Sequence, residues 1–192
     1  MMDATSGKHK KTVLHIASGP LASRKLHESF CGDEWREVRL DSNPGTSPDL
    51  VAEITSMPLV EDGFFDALYS AHSLIRLAPH EVPRALREFR RVLKPQGHAL
   101  ISVPDLQTAA EHIAAGDAEK AMWMTNMGPV SPMDILYGFR PLLATGPHMA
   151  HRVGFTVDTL RAALVEAGFL YVEVERDWEF NLWAVASPAS AA

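Results

Sequence analysis

The 192-residue sequence has a single cysteine, Cys31, so no intrachain disulfide can brace it, which fits a reducing compartment. No apolar run approaches bilayer-spanning length, and none follows the basic residues Lys8, Lys10 and Lys11. Neither a membrane span nor a secretory signal is therefore expected, and a cytoplasmic location is. Positive charge is in deficit: 18 Lys and Arg against 24 Asp and Glu leave a formal net charge of -6. That argues against a broad nucleic-acid-binding face, which needs clustered cations to neutralise phosphates. Arg84, Arg87, Arg90 and Arg91 do gather, but Glu81 and Glu88 interleave with them, so they read as a solvated helix face. Internal repeats and low-complexity tracts are also missing. Glycine is short where it would say most: the turn after the first apolar run holds only Gly19.

What remains is ordinary for a folded domain. A hydrophobic fraction of 46% and a charged fraction of 22% suit one domain over residues 1–192 with a full core. Apolar runs and helical patterns alternate, as in an α/β fold with a mainly parallel sheet. Strands are expected at 13–16, 37–40, 50–53, 66–70, 99–103, 171–175 and 182–186, the last two joined as an antiparallel hairpin. A helix is expected at about 22–30, with Leu26 and Phe30 on one face. Another runs over 79–94, where Val82, Leu86, Phe89 and Leu93 fall at helical spacing before Lys94-Pro95-Gln96-Gly97 turns the chain. A late helix starts at the cap Thr156, buries Leu160 and Leu164, and ends at Gly168. Residues 116–154 break the alternation. They are rich in Met, Pro, Gly and His and contain a compact helix start at Ser131-Pro132-Met133-Asp134, closed by Gly138. An insertion near the strand ends suits a lid or substrate platform.

In a doubly wound sheet the C-terminal strand ends share one rim. That rim would gather the turn Ala17-Ser18-Gly19-Pro20, the acid Asp41 and the segment Ser70-Ala71-His72. A strand, turn and helix start present backbone N–H groups to a nucleotide-like ligand, and a strand-end acid can accept hydrogen bonds from both ribose hydroxyls.

Four motifs in order extend the pattern over about the first 105 residues. They are Leu14-His15-Ile16-Ala17-Ser18-Gly19, Asp41-Ser42-Asn43-Pro44, Asp62-Gly63-Phe64-Phe65-Asp66-Ala67-Leu68-Tyr69-Ser70-Ala71-His72, and Arg91-Val92-Leu93-Lys94-Pro95-Gln96-Gly97. Their order and spacing resemble the compact, type 11-like subgroup of class I S-adenosylmethionine-dependent methyltransferases. A looser likeness continues through 128–138 and 149–155. The resemblance implies a Rossmann-like sheet of seven strands, the last inserted antiparallel, with helices on both faces. It implies S-adenosylmethionine as cofactor, S-adenosylhomocysteine as product and a small-molecule acceptor. Carried over, Ala17, Ser18 and Gly19 would line the methionine portion, and Asp41, flanked by Ser42, would hold the ribose. Glu53, Ile54 and Thr55 would enclose the adenine, and Ser70, Ala71 and His72 would border the sulfonium.

His72 is the first choice for a base, because an unperturbed imidazole titrates at about 6.5; His151 is the second. His148 and His151 form an H-x-x-H pair, but no further ligand stands at a familiar metal-site spacing. With Tyr137 and Arg140 they are expected on the substrate side, and no metal is expected. Met122, Trp123, Met124 and Met127 would form an apolar lid, a subdomain core or a subunit contact. Trp178, Phe180 and Trp183 around the last strand would pack there or support a homodimer.

Some positions depart from the pattern. The usual acid of the first motif is His15, two glycines are Ala17 and Leu21, and a Glu-His pair after the fourth strand is Ile75-Arg76. These departures favour an alternative, a methyltransferase-like binding or scaffold protein without catalysis. A third reading, a nicotinamide-dependent oxidoreductase, rests on the faint fingerprint Ala17-x-Gly19-x-x-Ala22 and lacks its glycines.

Overall fold

The computed structural model describes residues 10–23, 26–144 and 146–190. In chain order the strands are β1 (Lys11–Ile16), β2 (Trp35–Asp41), β3 (Leu50–Val51), β4 (Phe65–Ala71), β5 (Leu93–Pro104), β6 (Trp123–Thr125), β7 (Gly128–Val130), β8 (Tyr171–Arg176) and β9 (Asn181–Ser187). Seven of them form one sheet in the order β3-β2-β1-β4-β5-β9-β8. The five from β3 to β5 are parallel, and β9 enters antiparallel between β5 and β8. The chain order reverses between β1 and β4, which opens a crevice at their C-terminal ends. All seven expected strands are present.

Strand β5 begins earlier than its apolar run. Phe65 pairs with Leu93 but Ala67 pairs with His98, so Lys94-Pro95-Gln96-Gly97 bulges out between two paired segments. Gly97 fits closely there: a Cβ would crowd the Asp66 carbonyl at 3.0 Å and that of Phe65 at 3.1 Å. Asp66 fastens the same corner, accepting from the Thr12 N–H at 2.8 Å and from Lys94 at 2.7 Å.

The α-helices are α1 (Val82–Val92), α2 (Leu106–Ala114), α3 (Pro132–Tyr137), α4 (Arg140–Leu143) and α5 (Val157–Glu166). Helices α1 and α5 cover one sheet face, where Leu86, Phe89, Leu160 and Leu164 pack with Leu14, Ile16, Leu68 and Ile101. Truncating Phe89 to Ala in such surroundings costs about 3–5 kcal/mol. The opposite face carries a smaller cluster of Val13, Phe30, Ala67 and Tyr69.

The helix expected at 22–30 is a correction. Its described parts are two 3-10 turns, Leu21–Ser23 and Glu28–Phe30. Leu21 is exposed and, among the described residues of the segment, only Phe30 is buried, too narrow an apolar stripe to stabilise a helix by packing. The His27 ring also accepts the Ser29 N–H, starting a fresh turn. Helix α2 was not expected at all. The buried Asp105 caps it, accepting from the Gln107 N–H at 3.0 Å and the Thr108 hydroxyl at 2.8 Å.

Arg91 also departs from the solvated-face reading. It reaches Glu88, Asp62 and the carbonyls of Val60 and Met57, while Glu88 accepts the Met57 N–H. Glu88 and Arg91 thus bracket the chain leading into β4, and these hydrogen bonds hold the Glu88 carboxyl below its usual range. Among the described residues, no helix is long and apolar enough to cross a membrane.

Candidate functional site

At the end of β1 the chain bends through two left-handed residues, Ala17 (φ 50°) and Gly19 (φ 63°). The Gly19 N–H donates to Asp41 Oδ2 at 2.9 Å, so the strand-end acid holds the turn open. Asp41 Oδ1 accepts the Asn43 N–H at 2.9 Å. Each carboxylate oxygen keeps a second lone pair, enough to accept the two hydroxyls of a ribose. The buried turn residue Ile54 follows β3 beside Asp41, whose carbonyl accepts the Ala52 N–H. Thr55 is half-buried, and Glu53 and Ser42 are exposed.

Arg39 is a functional support that periodicity missed. It is 8% exposed and donates to the carbonyls of Gly19, Thr46 and Ser47, pinning the glycine turn to the segment after β2. The available signal was a cation inside an apolar strand, Val38-Arg39-Leu40.

A left-handed residue also follows β4: His72 has φ 52°, and its N–H donates to the Ser102 carbonyl at 2.9 Å. Strain of this kind at the facing ends of adjacent strands is typical of ligand sites. Ser70 is fully buried and its hydroxyl lies 2.5 Å from that of Ser73. Ala71 is half-buried beside it.

Among the described residues, two buried side-chain polar atoms lack a hydrogen-bond partner, Ser18 Oγ and Arg76 Nε. Both lie on the rim segments that follow β1 and β4. Burial pushes the Arg76 guanidinium below its usual range, and the nearby Asp41 carboxylate offsets part of this. His15 faces the other way. Its Nδ1 lies 2.7 Å from Glu37 Oε1 and its ring is 5.2 Å from that of Tyr69, so it is built into the sheet.

Next to this rim is a cavity of about 290 Å³. Ile75, Ile135, Leu136, Tyr137, His151 and Val153 line it, with Pro104 and Leu106 from the end of β5 and the start of α2. The Arg152 N–H donates to the Ile75 carbonyl at 2.7 Å, which stitches the end of the insertion to the segment after β4. His151 Nδ1 lies 2.8 Å from the Ile135 carbonyl. A carbonyl only accepts, so Nδ1 carries the hydrogen and the neutral ring keeps a lone pair on Nε2. Burial and then the charge of Arg76 push His151 below its ordinary range, against the contrary effect of the Ile135 contact.

Of the expected substrate-side residues, the structure thus brings Tyr137 and His151 into one cavity. Arg140 and His148 do not line it. Arg140 is committed to Asp134 at 2.9 Å, Glu119 at 2.8 Å and Ser131 at 2.9 Å, and His148 is exposed on a 3-10 turn. The Met-rich stretch forms the β6-β7 hairpin, with Met124 and Met127 exposed and Trp123 packed 6.2 Å from the Phe180 ring. Among the described residues no three His, Cys, Asp or Glu side chains gather as a metal site would require.

Residues 23–101 match a family model described as a methyltransferase domain. The match begins after the Ala17–Gly19 turn and ends within β5. No curated protein matches the chain in sequence. Among solved structures, a Pyrococcus horikoshii OT3 protein is similar with a TM-score of 0.62 at 17% identity, over 95% of this chain and 84% of that one. An S-adenosylmethionine-dependent methyltransferase from Methanosarcina mazei gives 0.60 at 16%, over 95% and 94%. One from Aquifex aeolicus gives 0.55 at 16%, over 93% and 83%. The chain therefore carries a methyltransferase domain match over residues 23–101 and shares the Rossmann-like fold of these solved structures.

Proposed function

We propose that the protein transfers a methyl group from S-adenosylmethionine to a small-molecule acceptor held in the cavity under the insertion. The observation that carries this reading is one rim that joins Gly19 and Asp41 to that cavity, with Ser18 Oγ and Arg76 Nε buried and unpartnered along it. Buried polar groups without partners cost about 1–3 kcal/mol each, so the rim is suited to a polar ligand.

The residues fit the cofactor with one reservation built into the chain, the Cβ of Ala17 where a backbone usually comes closest. Asp41 would take the ribose hydroxyls, Ile54 and its neighbours Glu53 and Thr55 the adenine, and the Ala17-Ser18-Gly19 turn the methionine portion. Bound there, the cofactor would supply an electrophilic methyl group on a sulfonium, open to in-line displacement. The protein's work is then to align the acceptor and exclude water. Ile75, Ile135, Leu136 and Val153 make the cavity apolar, and His72 follows the end of β4. An acceptor that loses its proton on methylation can pass it to His151 Nε2, which is neutral near pH 7 and stands in the cavity wall. This moves the base from His72, the first choice on sequence, to His151.

Titration calorimetry with S-adenosylhomocysteine tests the reading. Binding in the micromolar range is expected, weakened at least tenfold by Asp41→Asn. Absence of heat at millimolar ligand would reject it in favour of a binding or scaffold protein without catalysis, the alternative that Ala17 and the sealed His15–Glu37 pair support.

A further inference from the structure

The cavity has apolar walls and one sign of charge. Among the described residues no Asp or Glu lines it, Arg152 does, and Arg76 directly follows the lining residue Ile75. Arg152 is not bound tightly: its guanidinium is 3.9 Å from Glu81 and largely exposed. Arg76 is half-buried, and its Nε is wholly buried without a partner.

Asp41 is the carboxylate whose charge reaches Arg76, but its hydrogen bonds among the described residues come from the Gly19 and Asn43 N–H groups rather than from the guanidinium. A partly desolvated guanidinium next to an apolar cavity is suited to a planar anion, which its terminal N–H groups can grip through charge-assisted, bidentate hydrogen bonds.

We propose that Arg76 is a specificity-determining residue, and that the acceptor is a carboxylate-bearing molecule whose apolar body fills the cavity between Ile75, Ile135 and Tyr137. This rests on the cavity being the acceptor site. Arg76 engages the carboxylate, the apolar walls take the body, and Arg152 draws the anion to the mouth. The nucleophilic atom is then the group of the acceptor nearest His151.

The test measures binding to the full chain, with and without saturating S-adenosylhomocysteine, of two matched pairs: octanoate and octanamide, and 3-phenylpropanoate and 3-phenylpropanamide. At least one carboxylate is expected to bind ten or more times more tightly than its amide. In Arg76→Gln that preference falls below about threefold, whereas Arg76→Lys keeps part of it. Arg87→Gln, a change on the exposed face of α1, keeps all of it. Circular dichroism confirms that each variant is folded. Equal binding of acid and amide by the wild type, no binding of any probe, or a preference that survives Arg76→Gln overturns the proposal. Should S-adenosylhomocysteine fail to bind while the carboxylate preference holds, the methyltransferase reading falls and the anion site stands.

Discussion

Ala17 carries the tension of the first motif in one residue. Its φ of 50° places a Cβ in a left-handed turn that glycine adopts freely. Replacing it by glycine relieves strain but adds freedom to the unfolded chain, so the net gain is small. Ala17→Gly is expected to stabilise the fold by about 0.5 kcal/mol in urea denaturation. It should also tighten S-adenosylhomocysteine binding, and an unchanged affinity would show that the turn is not a cofactor contact.

His151 makes a second statement at this scale. Burial and Arg76 lower its pKa, so the ring becomes protonated only below its ordinary range. The groups bearing on it are Arg76, Arg152 and the Ile135 carbonyl. If Nε2 accepts the acceptor's proton, kcat/KM falls as pH drops through this lowered pKa. The acidic limb of the pH profile is therefore expected below about pH 6.5, and Arg76→Gln should move it upward. His151→Ala removes the limb, whereas His72→Ala keeps it; the reverse pattern would return the base to His72.

Among the elements, α3 shows how an insertion without much core is held. Asp134 is 3% exposed and accepts from the Ser131 N–H and hydroxyl, both at 2.8 Å, and from Arg140. Burial alone would raise its pKa, but the bonds from Arg140 and Ser131 outweigh it and bring the carboxyl down from 3.8 to about 2. The unfolded chain then binds the proton more readily, so stability falls with pH between about 4 and 2 and is fully present above. The shift corresponds to about 2 kcal/mol. Asp134→Asn is expected to lose about that much at pH 7 and to flatten the acid-side dependence; an unchanged denaturation midpoint would show that the cluster does not hold α3. The Ser131-Pro132-Met133-Asp134 start was legible because capping is local chemistry. The shortened 22–30 segment was not, since a local apolar pattern does not show whether a packing surface is wide enough to support a helix.

At the scale of the whole molecule, the sheet order decides what meets. Strand β4 lies beside β1, which sets the turn at Gly19 against the turn at His72, and β9 enters beside β5, which leaves the end of β5 to floor the cavity. The carboxylate and cofactor tests separate the two halves of this rim.

The sequence by itself determined the seven strands, α1, α5, the caps at Ser131 and Thr156, and the candidate residues Gly19 and Asp41. All of these depend on periodicity, turn chemistry or motif order within short stretches. Only the tertiary structure separated His151 and Tyr137, which enter the cavity, from Arg140 and His148, which do not. It alone placed Arg39 beneath the glycine turn and Arg76 beside Asp41 and His151. Such choices depend on which distant segments share a sheet edge and on which polar atoms other segments satisfy. The scarcity of glycine after β1 was visible at once; the left-handed backbone that Ala17 must adopt because of it appeared only in the fold.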